Sequence, residues 1–107
     1  MGNIYHCYTA YIDEPVVIVI DKYTNNGRPA ISLFATDGEP IARVTVNIPD
    51  APLGKREILI KDYSENEGIL NWMVASGLVE DTGKVIPAGH AVVNIVRMTP
   101  KLIWEGQ

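Results

Sequence analysis

Two turn signatures set between strand-like runs constrain this 107-residue chain more than any other feature. Residues 24–27 read Thr-Asn-Asn-Gly and residues 37–38 read Asp-Gly. Asn, Asp and Gly tolerate the positive φ angles of tight hairpins, so each signature turns the chain back beside the run before it. The runs are VVIVIDKY, AISLFAT and PIARVTVNI. The last alternates, with Ala42, Val44, Val46 and Ile48 inward and Arg43, Thr45 and Asn47 outward. The first holds an unbroken apolar stretch from Val16 to Ile20, which predicts a strand buried on both faces. Together they make an antiparallel meander.

Upstream, YHCYTAYI over residues 5–12 reads as a strand with Tyr5, Cys7, Thr9 and Tyr11 on one face, broken at Asp13-Glu14-Pro15. Tyr5, Tyr8 and Tyr11 also recur every three residues, which leaves a helical turn open. Downstream, Pro49-Asp50-Ala51-Pro52 and Gly54 force an irregular loop before a short strand, EILI. Ile69, Leu70, Met73 and Val74 then fall on one helix face, Gly77 supplies a left-handed stop, and Leu78 and Val79 pack back below it. Thr82-Gly83 and Pro87-Ala88-Gly89 mark a turn-rich connection to a last strand, HAVVNIVRM. The expected fold is one α+β domain spanning 1–107, a mostly antiparallel sheet of five to six strands with one helix packed across it.

Composition narrows the function classes. Hydrophobic residues make up 47% and charged residues 21%, a globular balance rather than a disordered one. No apolar run approaches the ~20 residues that span a bilayer. The start, MGNIYHCYTA, lacks the basic segment and apolar block of a signal peptide, and His6 stands where a myristoylation signal needs Ser or Thr. A lone Cys7 leaves no internal disulfide and suits a reducing compartment, so the expected location is the cytoplasm, with no membrane partner. The net charge of −4 disfavours direct nucleic-acid binding and favours basic protein surfaces, including the nucleic-acid channels of other proteins. Lys55, Arg56 and Lys61 form a local basic grouping, read as a solvated strand end.

The stretch that looks most like a site is KDYSENEG, residues 61–68. Asp62, Ser64 and Asn66 alternate as calcium ligands do at the start of an EF-hand loop. The pattern then fails, because Glu67 stands where the loop needs glycine and Met73 where it needs the bidentate Glu. Zinc lacks ligands too, with one Cys and two His in the chain. Neither metal nor cofactor is expected. Cys7 and His6 would diverge on a strand, so only His90 is left as a base for a thiol nucleophile, and nothing in the sequence brings it near. Phosphate-binding glycine motifs are absent. The chain is expected not to be an enzyme.

The spacing of Ser64 and Glu67 matches a capping box, which predicts a helix starting there and accounts for most of the oxygens. Gly68 then falls at the fourth helical position at a cost of ~1 kcal/mol relative to Ala, which points to close approach by another backbone or a bound surface.

Residues 45–83, TVNIPDAPLGKREILIKDYSENEGILNWMVASGLVEDTG, resemble a family of small proteins carried by bacteria, phages and conjugative elements and known as a domain of unknown function. The shared pattern is V-N-[LI]-P, then I-K-D-[YW]-S-E-N-E-G, a Leu-rich helix and G-[LI]-V-x-[DE]-T-G. In this chain these are Val46 to Pro49, Ile60 to Gly68 and Gly77 to Gly83. The resemblance brings no catalytic residues. It implies the company of small acidic accessory proteins that inhibit host defence, such as anti-CRISPR and anti-restriction proteins, by blocking the nucleic-acid site of an effector.

The expected function is therefore a non-catalytic protein-binding module of a mobile element that inhibits a host defence nuclease. The expected partner surface is Asp62, Tyr63, Glu65, Asn66 and Glu67, extended by Glu80 and Asp81, with Ser64, Glu67 and Gly77 as helix caps. The chain is expected to be a monomer or homodimer, and the alternative reading is an architectural or self-associating accessory protein of a mobile element that pairs with itself through Tyr5, Tyr8 and Tyr11 or a sheet edge. A small enzyme using Cys7 or the acidic pairs is a third reading.

Overall fold

The computed structural model describes residues 4–105. Its elements in chain order are β1 (Ile4–Tyr8), β2 (Asp13–Lys22), β3 (Pro29–Ala35), β4 (Pro40–Arg43), β5 (Glu57–Ile60), a 3-10 turn (Ser64–Asn66), α1 (Ile69–Ala75), β6 (Val79–Ala88), β7 (Ala91–Met98) and α2 (Pro100–Glu105). The α+β class and the antiparallel pairing are as the patterning predicts. The single sheet of five to six strands crossed by one helix is not: the strands form a four-stranded sheet in the order β1-β2-β3-β4 and a three-stranded sheet in the order β5-β7-β6, accompanied by two short helices.

The division falls inside PIARVTVNI. Val44 N–H still donates to Ile31 O at 2.9 Å, but Val44 O accepts from Lys61 N–H at 2.9 Å, and Val46 N–H donates to Leu59 O at 3.2 Å. Residues 44–46 thus leave the edge of the first sheet and join the edge of the second. Thr45 makes this crossing. Its Oγ1 accepts from Ile31 N–H at 3.0 Å and lies 3.1 Å from Tyr23 Oη. The hydroxyl replaces the carbonyl that a continued ladder would have supplied, so Thr45 is buried rather than outward-facing as strict alternation predicts.

Between the sheets lies the main core, which joins Val16, Ile18, Ile31 and Leu33 to Ile58, Ile60, Val96, Ile69, Trp72, Met73 and Leu102. A second cluster sits on the far face of the three-stranded sheet, where Leu59, Val93 and Ile95 are covered by Ala51, Val46, Ile48 and Leu53. β5 is therefore buried on both faces. β2 is not, contrary to the reading of its apolar run: Val16 and Ile18 are buried while Val19 is 42% exposed.

Other differences have local causes. The first break comes at residues 9–12, where Thr9 Oγ1 accepts from Tyr11 N–H and Ile12 N–H, both at 3.1 Å. Pro15 then fits inside β2, because β3 pairs only from Val16 onward and leaves no ladder bond for its missing N–H. Thr82 and Gly83 form a bulge within β6 rather than ending it, with Thr82 Oγ1 donating to Ile95 O at 2.6 Å. The proposed connection is thus a ten-residue strand. The short α2, which the hydrophobic pattern did not announce, starts at Thr99-Pro100; Thr99 Oγ1 donates to Leu78 O at 2.9 Å, and Lys101 Nζ to Ser76 O at 2.8 Å.

Candidate functional site

Residues 61–68 are where the sequence places its site. Asp62 does what was assigned to Ser64. Its Oδ1 accepts from Gly68 N–H at 3.1 Å and from Leu70 N–H at 3.0 Å, satisfying amides at the start of α1. Ser64 lies in the separate 3-10 turn with φ +54° and makes no capping bond, so the Ser64–Glu67 box does not form. The physical reason is Gly68: it takes φ +97° and ends the turn, so the helix begins only at Ile69. Gly77 does serve as the left-handed stop, with φ +75°, while Leu78 N–H donates to Met73 O at 2.9 Å.

The glycine at 68 also explains itself. A Cβ there would lie 3.1 Å from Thr9 Cβ, on top of the positive φ. The close approach inferred from its cost is real and internal to the chain.

Asn66 is 2% exposed, and its Nδ2 donates to Arg43 O at 2.8 Å. Because Val44 N–H pairs with Ile31 O, the neighbouring pair Ser32 and Arg43 is a non-hydrogen-bonded one, and Arg43 C=O turns away from β3. Asn66 caps that open edge. A matching contact caps the other edge of the same sheet. Thr9 N–H donates to Ile12 O, so alternation turns the backbone groups of Ile4, His6 and Tyr8 away from β2. Trp72 Nε1 donates to His6 O at 2.8 Å. One segment, from Asp62 to Trp72, thereby clasps both edges of the four-stranded sheet. Asp62 and Asn66 are structural members of this clasp, with Asn66 buried and Asp62 half-buried.

The remaining acids do not gather. Glu65 pairs with Lys61 at 2.7 Å, and that hydrogen bond holds its carboxyl below the ordinary value. Tyr63 is half-buried against the second cluster, with Lys61 Nζ 5.4 Å from its ring centroid. Glu67 is exposed, with no side-chain hydrogen bond or ion pair among the described residues. Glu80 and Asp81 follow the far end of α1 and point to opposite faces of β6, beside Arg97 and Val96 respectively. Glu80 lies 3.6 Å from Arg97, and Asp81 Oδ1 accepts from Gly83 N–H.

Catalytic groupings are equally dispersed. Cys7 is buried, and burial foremost, with Glu14 second, pushes its thiol up to about 11. A thiol held there stays protonated at neutral pH. His6 faces the other way and bonds Asp13, while His90 lies in the turn between β6 and β7 of the other sheet. Among the described residues no three His, Cys, Asp or Glu side chains converge on a metal position, and no concave pocket forms. None of the helices is long and apolar enough to cross a membrane. The tyrosines separate as well: Tyr5 is half-buried under Lys101, whereas Tyr8 and Tyr11 are 71% and 66% exposed.

A surface the sequence reading missed lies on the outer face of the four-stranded sheet. Ile4, Val17, Phe34 and Pro40 form one cross-strand row, and Val19, Ser32 and Arg43 the next. Ile4 is 64% exposed, and Val17 and Phe34 are half-buried and belong to neither core cluster. Asp13 and Asp21 share this face, and Asp37 and Glu39 occupy the exposed hairpin at its end. The misread burial of Val16 to Ile20 hid it: every second residue of that run belongs to this outer face.

Comparisons with protein-family models, with curated proteins and with solved structures find no match to the chain.

Proposed function

We propose that this chain is a non-catalytic protein-binding module whose partner is a nucleic-acid-binding protein, engaged through the outer face of the four-stranded sheet. The observation that carries the reading is the apolar row of exposed Ile4 with half-buried Val17 and Phe34, and exposed Val19 beside it, none of them in either core cluster. Contiguous exposed apolar surface with a polar rim is the mark of a docking site. The rim names the kind of partner. Asp21, Asp37 and Glu39 rim the face, Asp13 there pairs with His6, Arg43 lies in the neighbouring row, and the chain as a whole carries −4. That balance complements a basic surface of the kind that holds nucleic acid.

The setting we propose, on the expected resemblance of residues 45–83 to a family carried by bacteria, phages and conjugative elements, is inhibition of a host defence nuclease by occupying its nucleic-acid channel, from a location in the bacterial cytoplasm. The test is competition. The effector recovered on the immobilised chain from a defence-competent bacterial lysate is purified, and its DNA binding is measured as the chain is added. Stoichiometric loss of DNA binding is the expected result. An effector that binds DNA equally well at saturating chain contradicts the inhibitory role.

A further inference from the structure

We propose that Asn26 is a self-modifying site, an asparagine that deamidates through attack by the Gly27 backbone nitrogen at a rate set by the polar latch around it. Asn26 is exposed, and a Cβ on Gly27 would meet nothing within 4 Å, so no side chain shields the ring that the reaction must close. The Gly27 nitrogen loses its proton and forms a bond to Asn26 Cγ; the Cγ–Nδ2 bond breaks and ammonia leaves with that nitrogen. Water then opens the cyclic imide at either carbonyl, giving aspartate or isoaspartate. No oxidant or reductant is involved.

The latch opposes each step. Asn26 Nδ2 donates to Asn47 Oδ1 at 2.9 Å, and Asn47 Nδ2 in turn donates to Asn25 Oδ1 at 2.9 Å. Asn26 Oδ1 accepts from Arg28 N–H at 3.0 Å, and the nucleophile itself donates to Tyr23 O at 2.8 Å. Rotating Cγ toward Gly27 breaks both side-chain contacts, so the reaction runs from an opened hairpin tip. That tip also holds the loop over the second core, since Arg28 Nη1 and Nη2 donate to Ile48 O at 2.8 Å and Ala51 O at 2.9 Å. An aspartate at 26 is re-paired by turning the Asn47 and Asn25 amides over together. The isoaspartyl product instead lengthens the backbone by a carbon between residues 26 and 27, which moves Gly27 N–H off Tyr23 O and loosens the loop.

The experiment ages the full chain at mildly alkaline pH and follows the peptide carrying residues 23–28 by mass spectrometry. Wild type is expected to deamidate at Asn26. Asn47→Ala removes the acceptor for Asn26 Nδ2 and raises the rate roughly fivefold, the population factor that one net hydrogen bond represents. Asn26→Gln, with a side chain too long for the five-membered ring, and Gly27→Ala, with its fold checked by circular dichroism, stay inert over the same period. Deamidation of Asn47→Ala at the wild-type rate overturns the latch, and its absence from both wild type and Asn47→Ala overturns the site. The separated isoaspartyl form should also exchange the Gly27 and Ala51 amides faster than fresh protein; equal exchange overturns the release of the loop.

Discussion

The two sheets treat their second faces differently. On the three-stranded sheet the loop between β4 and β5 lays Ala51, Val46, Ile48 and Leu53 over Leu59, Val93 and Ile95. On the four-stranded sheet the same kind of face, with Ile4, Val17, Val19 and Phe34, meets solvent. Antiparallel sheets commonly leave one face wet, but that face is then usually polar. The proposed docking face rests on this contrast between a face that the chain covers with its own loop and one that it leaves wet. The clasp from Asp62 to Trp72 sharpens the contrast, because Asn66 and Trp72 hold the sheet edges and Asp62 the start of α1, while Glu65 pairs locally and Glu67 faces solvent.

Mutations that disturb the covered side should cost most. Leu59→Ala empties a fully covered position and is expected to destabilise the fold by about 2–5 kcal/mol in urea unfolding. Asn66→Leu leaves Arg43 C=O buried without a donor and should cost about 1–3 kcal/mol by the same measurement. Gly68→Ala forces a side chain into a left-handed backbone against Thr9, with an expected loss of about 1–2 kcal/mol.

A smaller, pH-dependent effect comes from Glu57, which bonds Gly54 N–H at 2.7 Å and Lys84 Nζ at 3.3 Å. The Gly54 bond foremost, then Lys84, holds its carboxyl below the ordinary 4.5. A depressed carboxyl stabilises the fold above its unfolded value, and that contribution disappears as pH falls from 4.5 through the lower folded value. Unfolding curves taken across that acid range should converge for wild type and Glu57→Gln as the pH drops. The smallest effect is expected on the uncovered side: Val19→Lys should leave stability within about 0.5 kcal/mol of wild type.

Much of this architecture is legible in the residues. The hairpin signals at residues 24–27 and 37–38, the stop at Gly77 and the helix face of Ile69, Leu70 and Met73 act through local backbone preference and apolar spacing, which a sequence displays directly, although Val74 of that face is 42% exposed. The division into two sheets is not legible, because it turns on a single hydroxyl: Thr45 alternates correctly as an outward residue until its Oγ1 meets Ile31 N–H. The capping box misleads for a related reason. Ser64 and Glu67 have the right spacing, yet it is Asp62 that reaches the helix amides, across a left-handed Gly68 where a side chain would meet Thr9, a residue far away in the chain. Of the polar groups that look like a site, Asp62 and Asn66 are consumed by contacts within the fold, while Val17 and Val19, which look like core, lie on the outer face.

The central claim is that partner binding belongs to the outer face of the four-stranded sheet and not to the acidic stretch before α1. Two variants of the full chain test it side by side for capture of the same purified effector: Val19→Lys with Phe34→Ser, and Glu65→Lys with Glu67→Lys, each first shown to unfold at the wild-type urea midpoint. The account predicts that the first variant loses the effector while the second retains it. Retention by the first variant with loss by the second would contradict the account and return the interface to the helix start.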